Sequence, residues 1–161
     1  RGAVTAALAV AVLGAAPARL RHLENDARNI DDVQVAEGKT LAQVPSSTVV
    51  WAVDAGAIRY FGSAFVVDTV GLNSPDMLRV DAQRFLQAHP PSYISYVNGW
   101  TNLDQTSRDR MQVIVFRPST PYTVTGFQPQ AIHILTRCPS SPHHGRYGVF
   151  ERSFDFTCVA S

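Results

Sequence analysis

Apolar residues fall along this chain in short, dense runs, and the clearest succession of element types lies within residues 49–72. Residues 49–53 are almost wholly apolar and rich in β-branched and aromatic side chains, the pattern of a strand covered on both faces, and residues 65–70 repeat it after a Gly-Ser break. Between them Asp54 is placed to cap a short helix. Apolar strand, helix, apolar strand is the sequence form of a βαβ unit with parallel strands and a right-handed crossover.

The rest of the chain is read around that centre. Residues 19–44 carry Leu20, Leu23, Ala27 and Ile30 at spacings of three and four, with Glu24, Asp26, Arg28 and Asp31 between them, which predicts an amphipathic helix. Gly38 is expected to break or bend it, leaving a second piece from Asp31 or Asp32 to Leu41 and a turn at Pro45-Ser46-Ser47. Ser74, Pro75 and Asp76 form a helix-start signal, with Met77, Leu78, Val80, Phe85 and Leu86 as the buried face and His89-Pro90-Pro91 as the stop. Further strands are predicted at residues 93–97, 111–116, 122–127 and 131–137, the last two antiparallel because their link is too short for a crossover. Residues 98–110 read as a polar loop, 139–148 as irregular, and 149–159 as a final edge strand. The expectation is an α/β fold: a mixed, largely parallel sheet with a central βαβ unit, flanking helices and an antiparallel C-terminal hairpin.

The N-terminus changes the picture of location. Residues 3–18 are apolar or small apart from Thr5, and Arg19, Arg21 and His22 follow them. A membrane span takes roughly 20 apolar residues, so this run is short of one. It reads as the last turns of a cut transmembrane helix or as a signal segment ending at Ala16-Pro17-Ala18, the alternative being an Ala-rich helix buried in a soluble core. The first two readings place residues 19–161, taken as a single domain, outside the cytoplasm. With 161 residues, 45% of them hydrophobic and 17% charged, the chain has the material for one core. A formal net charge of +1, with Lys39 the only lysine, gives no nucleic-acid surface. Cys138 and Cys158 are too few for a structural zinc site. Outside the cytoplasm they would pair and contribute roughly 3 kcal/mol; otherwise they are two unrelated buried thiols.

For chemistry, the residues best placed are Asp54 and Asp68, because ligands of open α/β sheets collect beyond the carboxyl ends of parallel strands. Asp54 is explained first by capping. Asp68, inside a strand, needs a partner, and Arg59 or the backbone N–H groups near Asn73 are the candidates. The chain has no Gly-x-Gly-x-x-Gly, P-loop or Gly-x-Ser-x-Gly element, so no nucleotide, no other cofactor and no elbow nucleophile is expected. Gly56 is expected to let its helix approach the sheet closely. His143-His144 read as solvated loop residues rather than metal ligands, and no metal site is assigned. Tyr60, Phe61, Tyr96 and Trp100 are core residues by default, with sugar stacking as the functional alternative.

Three segments carry a family likeness: residues 28–38 (RNIDDVQVAEG), residues 54–62 (DAGAIRYFG) and residues 66–73 (VVDTVGLN). Together they resemble the extracytoplasmic C-terminal domain of bacterial polytopic membrane proteins of the GT-C glycosyltransferase class, which use polyprenyl-phosphate sugars. The likeness covers residues 3–117. It implies that the catalytic carboxylate lies in a membrane-proximal loop absent from this chain, so that no catalytic residue is expected here. It further implies a non-catalytic accessory domain whose partner is the upstream membrane-embedded part of the same protein. A glycan or polyprenyl-linked sugar would then be contacted by Asp54, Arg59, Tyr60, Asp68 and Asn73. The alternatives are a small secreted α/β enzyme using Asp54 and Asp68, or a disulfide-stabilised secreted binding protein.

Overall fold

The computed structural model describes residues 2–79, 81–119 and 132–158. The N-terminal pattern folds as one uninterrupted helical rod: α1 (Gly2–Asn29), a π-helical stretch (Ile30–Val35) and α2 (Ala36–Leu41). Residues 3–18 therefore open α1, and no helix among the described residues is long and apolar enough to cross a membrane. The helix does not break at Gly38, as the glycine signal suggested. Gly38 is where the rod crosses the next helix, α3 (Ala55–Phe61): a Cβ there would lie 3.0 Å from Ala57 O and from Phe61 Cβ. Close approach, not bending, is its reason. Gly56 has nothing within 4 Å of its Cβ position, so the close-approach role expected of it belongs to Gly38.

The βαβ centre is present. β1 (Val49–Ala52) and β2 (Phe65–Asp68) flank α3 and pair in parallel, Val49 with Phe65 through Ala52 with Asp68. β3 (Tyr93–Val97) pairs in parallel on the other side of β1. Between β2 and β3 the single helix expected is instead a 3₁₀ turn (Pro75–Leu78) and a short α4 (Ala82–Ala88). The expected strand at residues 122–127 and core residue Val80 lie outside the described residues. β5 (Gln112–Phe116) and β6 (His133–Arg137) complete a five-stranded mixed sheet in the order β2-β1-β3-β6-β5, antiparallel from β3 onward. The chain is thus a mixed α/β fold.

Two segments read as irregular are ordered. The stretch at residues 98–110 contains β4 (Thr101–Leu103) and α5 (Gln105–Arg110), and residues 139–148 supply most of β7 (His143–Val149). With β8 (Arg152–Cys158) these strands form a second, antiparallel sheet, β4-β7-β8. The period-2 alternation of β1 explains the layering: Val50 and Ala52 meet Leu41, Ala55, Ile58 and Leu135 under the helical layer, while Trp51 and Val53 meet Met77, Leu86 and the second sheet. Trp51 is fully buried, its indole N–H donating to His89 O at 2.8 Å, with the rings of Tyr147 and Phe156 each 6.1 Å away.

Cys138 and Cys158 form a disulfide with a Cα separation of 5.5 Å, joining the residue after β6 to the last residue of β8. The bridge ties the two sheets together. Reduction, or Cys138→Ser with Cys158→Ser, is expected to lower stability by about 3 kcal/mol, read as a lower urea midpoint with a steeper slope, because the unbridged denatured chain exposes more surface.

Candidate functional site

Asp54 leaves the carboxyl end of β1, where the topology places a ligand site, and stands at the N-cap position of α3. It makes no side-chain cap bond, which overturns the capping role read from the sequence. Its carboxylate turns inward instead. Oδ2 accepts a hydrogen bond from Gln34 Nε2 and stands 3.6 Å from His133 Nε2. The opposite ring nitrogen, His133 Nδ1, is 2.8 Å from Glu37 Oε2, and both of those side chains are fully buried. Three distant segments therefore meet: the helical rod through Gln34 and Glu37, the β1–α3 junction through Asp54, and the first residue of β6 through His133. The π-helical stretch ends just before Glu37 and widens the rod where it faces the sheet end.

The electrostatics follow from that geometry. Burial, the largest single influence on His133, favours the neutral ring; the hydrogen-bonding and charges of Asp54 and Glu37 outweigh it and raise the pKa to about 9. Asp54 is held below the ordinary carboxylate range, chiefly by His133 and secondarily by Gln34, against the opposing effect of burial. At neutral pH an imidazolium is thus clamped between two carboxylates. Only Asp54 reaches solvent, its side chain 32% exposed. The buried imidazolium acts as a charge clamp holding the rod on the sheet.

Asp68 is also committed, though not to Arg59. Its Oδ1 accepts from the backbone N–H of Val70 at 2.9 Å and of Gly71 at 3.1 Å, and its Oδ2 accepts from the N–H of Asn73 at 2.7 Å. The buried carboxylate thereby folds the loop after β2, in which Gly71 takes a φ of +106°. Ser74, expected to cap a helix, instead accepts from the Asp68 N–H through its hydroxyl oxygen at 3.0 Å. Arg59 is exposed and donates to Asn73 O at 3.0 Å; Tyr60 is 82% exposed and edge-on to Phe61. Of the five strand-end residues, Arg59, Asp68 and Asn73 come together around one loop, Asp54 joins a separate network, and Tyr60 points to solvent.

His133 and Glu37 were not singled out in the sequence. The one available signal was a histidine in the apolar strand predicted at residues 131–137, where a buried ring needs a partner. A second histidine was misplaced: His143 is buried in β7, not solvated, and its Nε2 lies 2.8 Å from Ser107 Oγ. That hydroxyl donates to Asp104 Oδ2 at 2.7 Å, so its proton is committed and His143 is the donor toward it. This is the reverse of a serine primed for attack. His144 is exposed, as read, and among the described residues no group of three or more His, Cys, Asp or Glu side chains is placed to hold a metal ion.

Two predictions arise from these networks. His133 has a folded pKa above its unfolded value near 6.5, so its stabilisation is complete below about 6.5 and is lost as pH rises through about 9. Thermal midpoints should fall across that window, and His133→Ala, expected to cost about 3–5 kcal/mol through the stranded carboxylates, should flatten the decline. Asp68→Asn puts an amide N–H against a backbone N–H and should cost about 1–3 kcal/mol in urea unfolding.

The family described as Domain of unknown function (DUF8728) matches residues 25–152. No curated protein and no solved structure matches.

Proposed function

The chain belongs to the DUF8728 family, and from the resemblance of its three sequence segments we propose that it is a non-catalytic extracytoplasmic accessory domain of a membrane glycosyltransferase-like protein. In this role it caps the membrane-embedded part of the same protein and contributes to recognition of a glycan or lipid-linked acceptor. The observation that carries the non-catalytic reading is the commitment of both strand-end carboxylates to internal bonds: Asp68 to three backbone N–H groups and Asp54 to Gln34 and His133. The disulfide supports an oxidising, extracytoplasmic setting. Exposed apolar side chains on α3 and the loop after β2, namely Tyr60, Phe61, Leu72 and Leu78, offer a surface on which the membrane part would seat.

Location is tested by fusing a reporter phosphatase to Ser161 of the natural gene product, with active phosphatase and a Cys138–Cys158 cross-link in non-reduced peptides as the expected result. An inactive fusion with two free thiols would refute it. For the catalytic question, Asp54→Asn in the intact protein should leave kcat within about threefold, whereas loss of a working general acid or base costs about 10²–10⁴. A loss of that size in a folded variant would make Asp54 catalytic and overturn the accessory role.

A further inference from the structure

The outer face of β4-β7-β8 combines an aromatic end with a polar ladder. Alternation sends Leu103, Tyr147 and Phe154 inward to the core. Outward, the ladder carries Trp100 beside Phe150 at one end, then Asn102 over Gly148, then Arg146 paired with Asp155 at 3.1 Å. A Cβ at Gly148 would collide with the Asn102 amide, so the glycine keeps this part of the face low. Arg146 and Asp155 also help line a groove of about 730 Å³ that extends to Leu86, Gln87 and Pro90 at and just beyond the end of α4.

The aromatic end shows a conflict between local preference and residue type. Phe150 and Glu151 form the two-residue connection between β7 and β8, where a left-handed backbone calls for Gly or Asn. Phe150 nevertheless holds a φ of +51°, a conformation unfavourable for a bulky side chain, and remains 64% exposed. The strain leaves most of the side chain in water. Its product is a ring set 6.2 Å from that of Trp100 at an interplanar angle of 31°, with the Phe150 N–H donating to Trp100 O at 3.0 Å. Trp100 is itself 42% exposed. Two part-exposed rings, tilted by 31° to one another, thus form an aromatic platform at the end of a polar ladder.

We propose that this face binds a neutral oligosaccharide, one pyranose ring stacking its C–H face on Trp100 and Phe150 and the following rings hydrogen-bonding to Asn102, Arg146 and Asp155. The electron-rich aromatic faces attract the weakly positive C–H groups of a sugar ring. Amide and ion-paired side chains match hydroxyls, which both donate and accept. From Phe150 to His144 along β7 the face runs about 20 Å, long enough for an oligosaccharide chain. Charge argues against an anionic membrane: Glu151 adjoins the platform, while Arg152 turns away to Met77 O and the Phe154 ring. A protein partner would need an apolar centre wider than two rings.

The inference rests on the proposed glycan-facing role and places it on a surface separate from the strand-end residues. The chain is titrated by isothermal calorimetry with maltoheptaose, cellohexaose, xylohexaose and mannohexaose, alongside vesicles of phosphatidylcholine and phosphatidylglycerol. At least one sugar should bind saturably at millimolar or lower concentration, with Trp100→Ala weakening it at least about tenfold. Phe150→Gly should weaken it similarly while leaving the thermal midpoint equal or higher, because the strain is relieved. Binding to none of the four sugars, binding unchanged by both variants, or platform-dependent binding to vesicles alone would overturn the proposal. A lower thermal midpoint with intact sugar binding in Phe150→Gly would make the ring structural and also overturn it. Sugar binding does not depend on where the domain resides, so an inactive phosphatase fusion with intact sugar binding would count against location alone.

Discussion

β1 has a parallel neighbour on each side and a layer on each face, so its three central side chains, Val50, Trp51 and Ala52, are wholly shielded from water. A strand in that position imposes two covers. Val50 and Ala52 are small and let α2 and α3 lie close, a closeness that Gly38 extends to the crossing of those helices. Trp51 is large and sets the spacing of the other cover, reaching the rings of Tyr147 and Phe156. Burying the whole indole is favourable only because its N–H finds His89 O. The second sheet is seated by that ring and by the disulfide, so it is joined to the first by packing at its middle and by a covalent bond at its edge.

The same layering decides which features were legible in the chain. Residues 49–53 and 65–70 announced themselves because a strand buried on both faces has no polar positions to dilute its signal. β7 did not, because His143 and Gly145 occupy inward positions where apolar residues would mark alternation, and Pro139 and Pro142 precede it. α5 has no apolar period at all; it is held by the Asp104 carboxylate accepting from the Ser107 N–H at 3.0 Å and by packing on β7.

The site divides along the same line between local and distant bonds. Asp68 closes on backbone groups within five residues, and the N–H groups near Asn73 were in view as partners. The partners of Asp54, the Gln34 amide on the rod and the His133 ring on β6, lie beyond any local pattern and displaced the cap that a local reading required. An N-cap bond offers about 1 kcal/mol. An imidazolium already committed to Glu37 in a dry interior attracts a second carboxylate more strongly, so the distant bond prevails.

A carboxylate that accepts three backbone N–H groups, or that balances a buried imidazolium, has its first bonds within the fold. Unspent interactions are the better guide, and they lie where side chains have been exposed against local preference. At Phe150 the backbone is left-handed, the ring is wet, and no contact of the core compensates. A sequence free to relieve that strain with glycine, as the loop geometry invites, would lose only the aromatic platform. On the proposal made above, the functional burden falls on the second sheet, which the Trp51 packing and the disulfide join to the first.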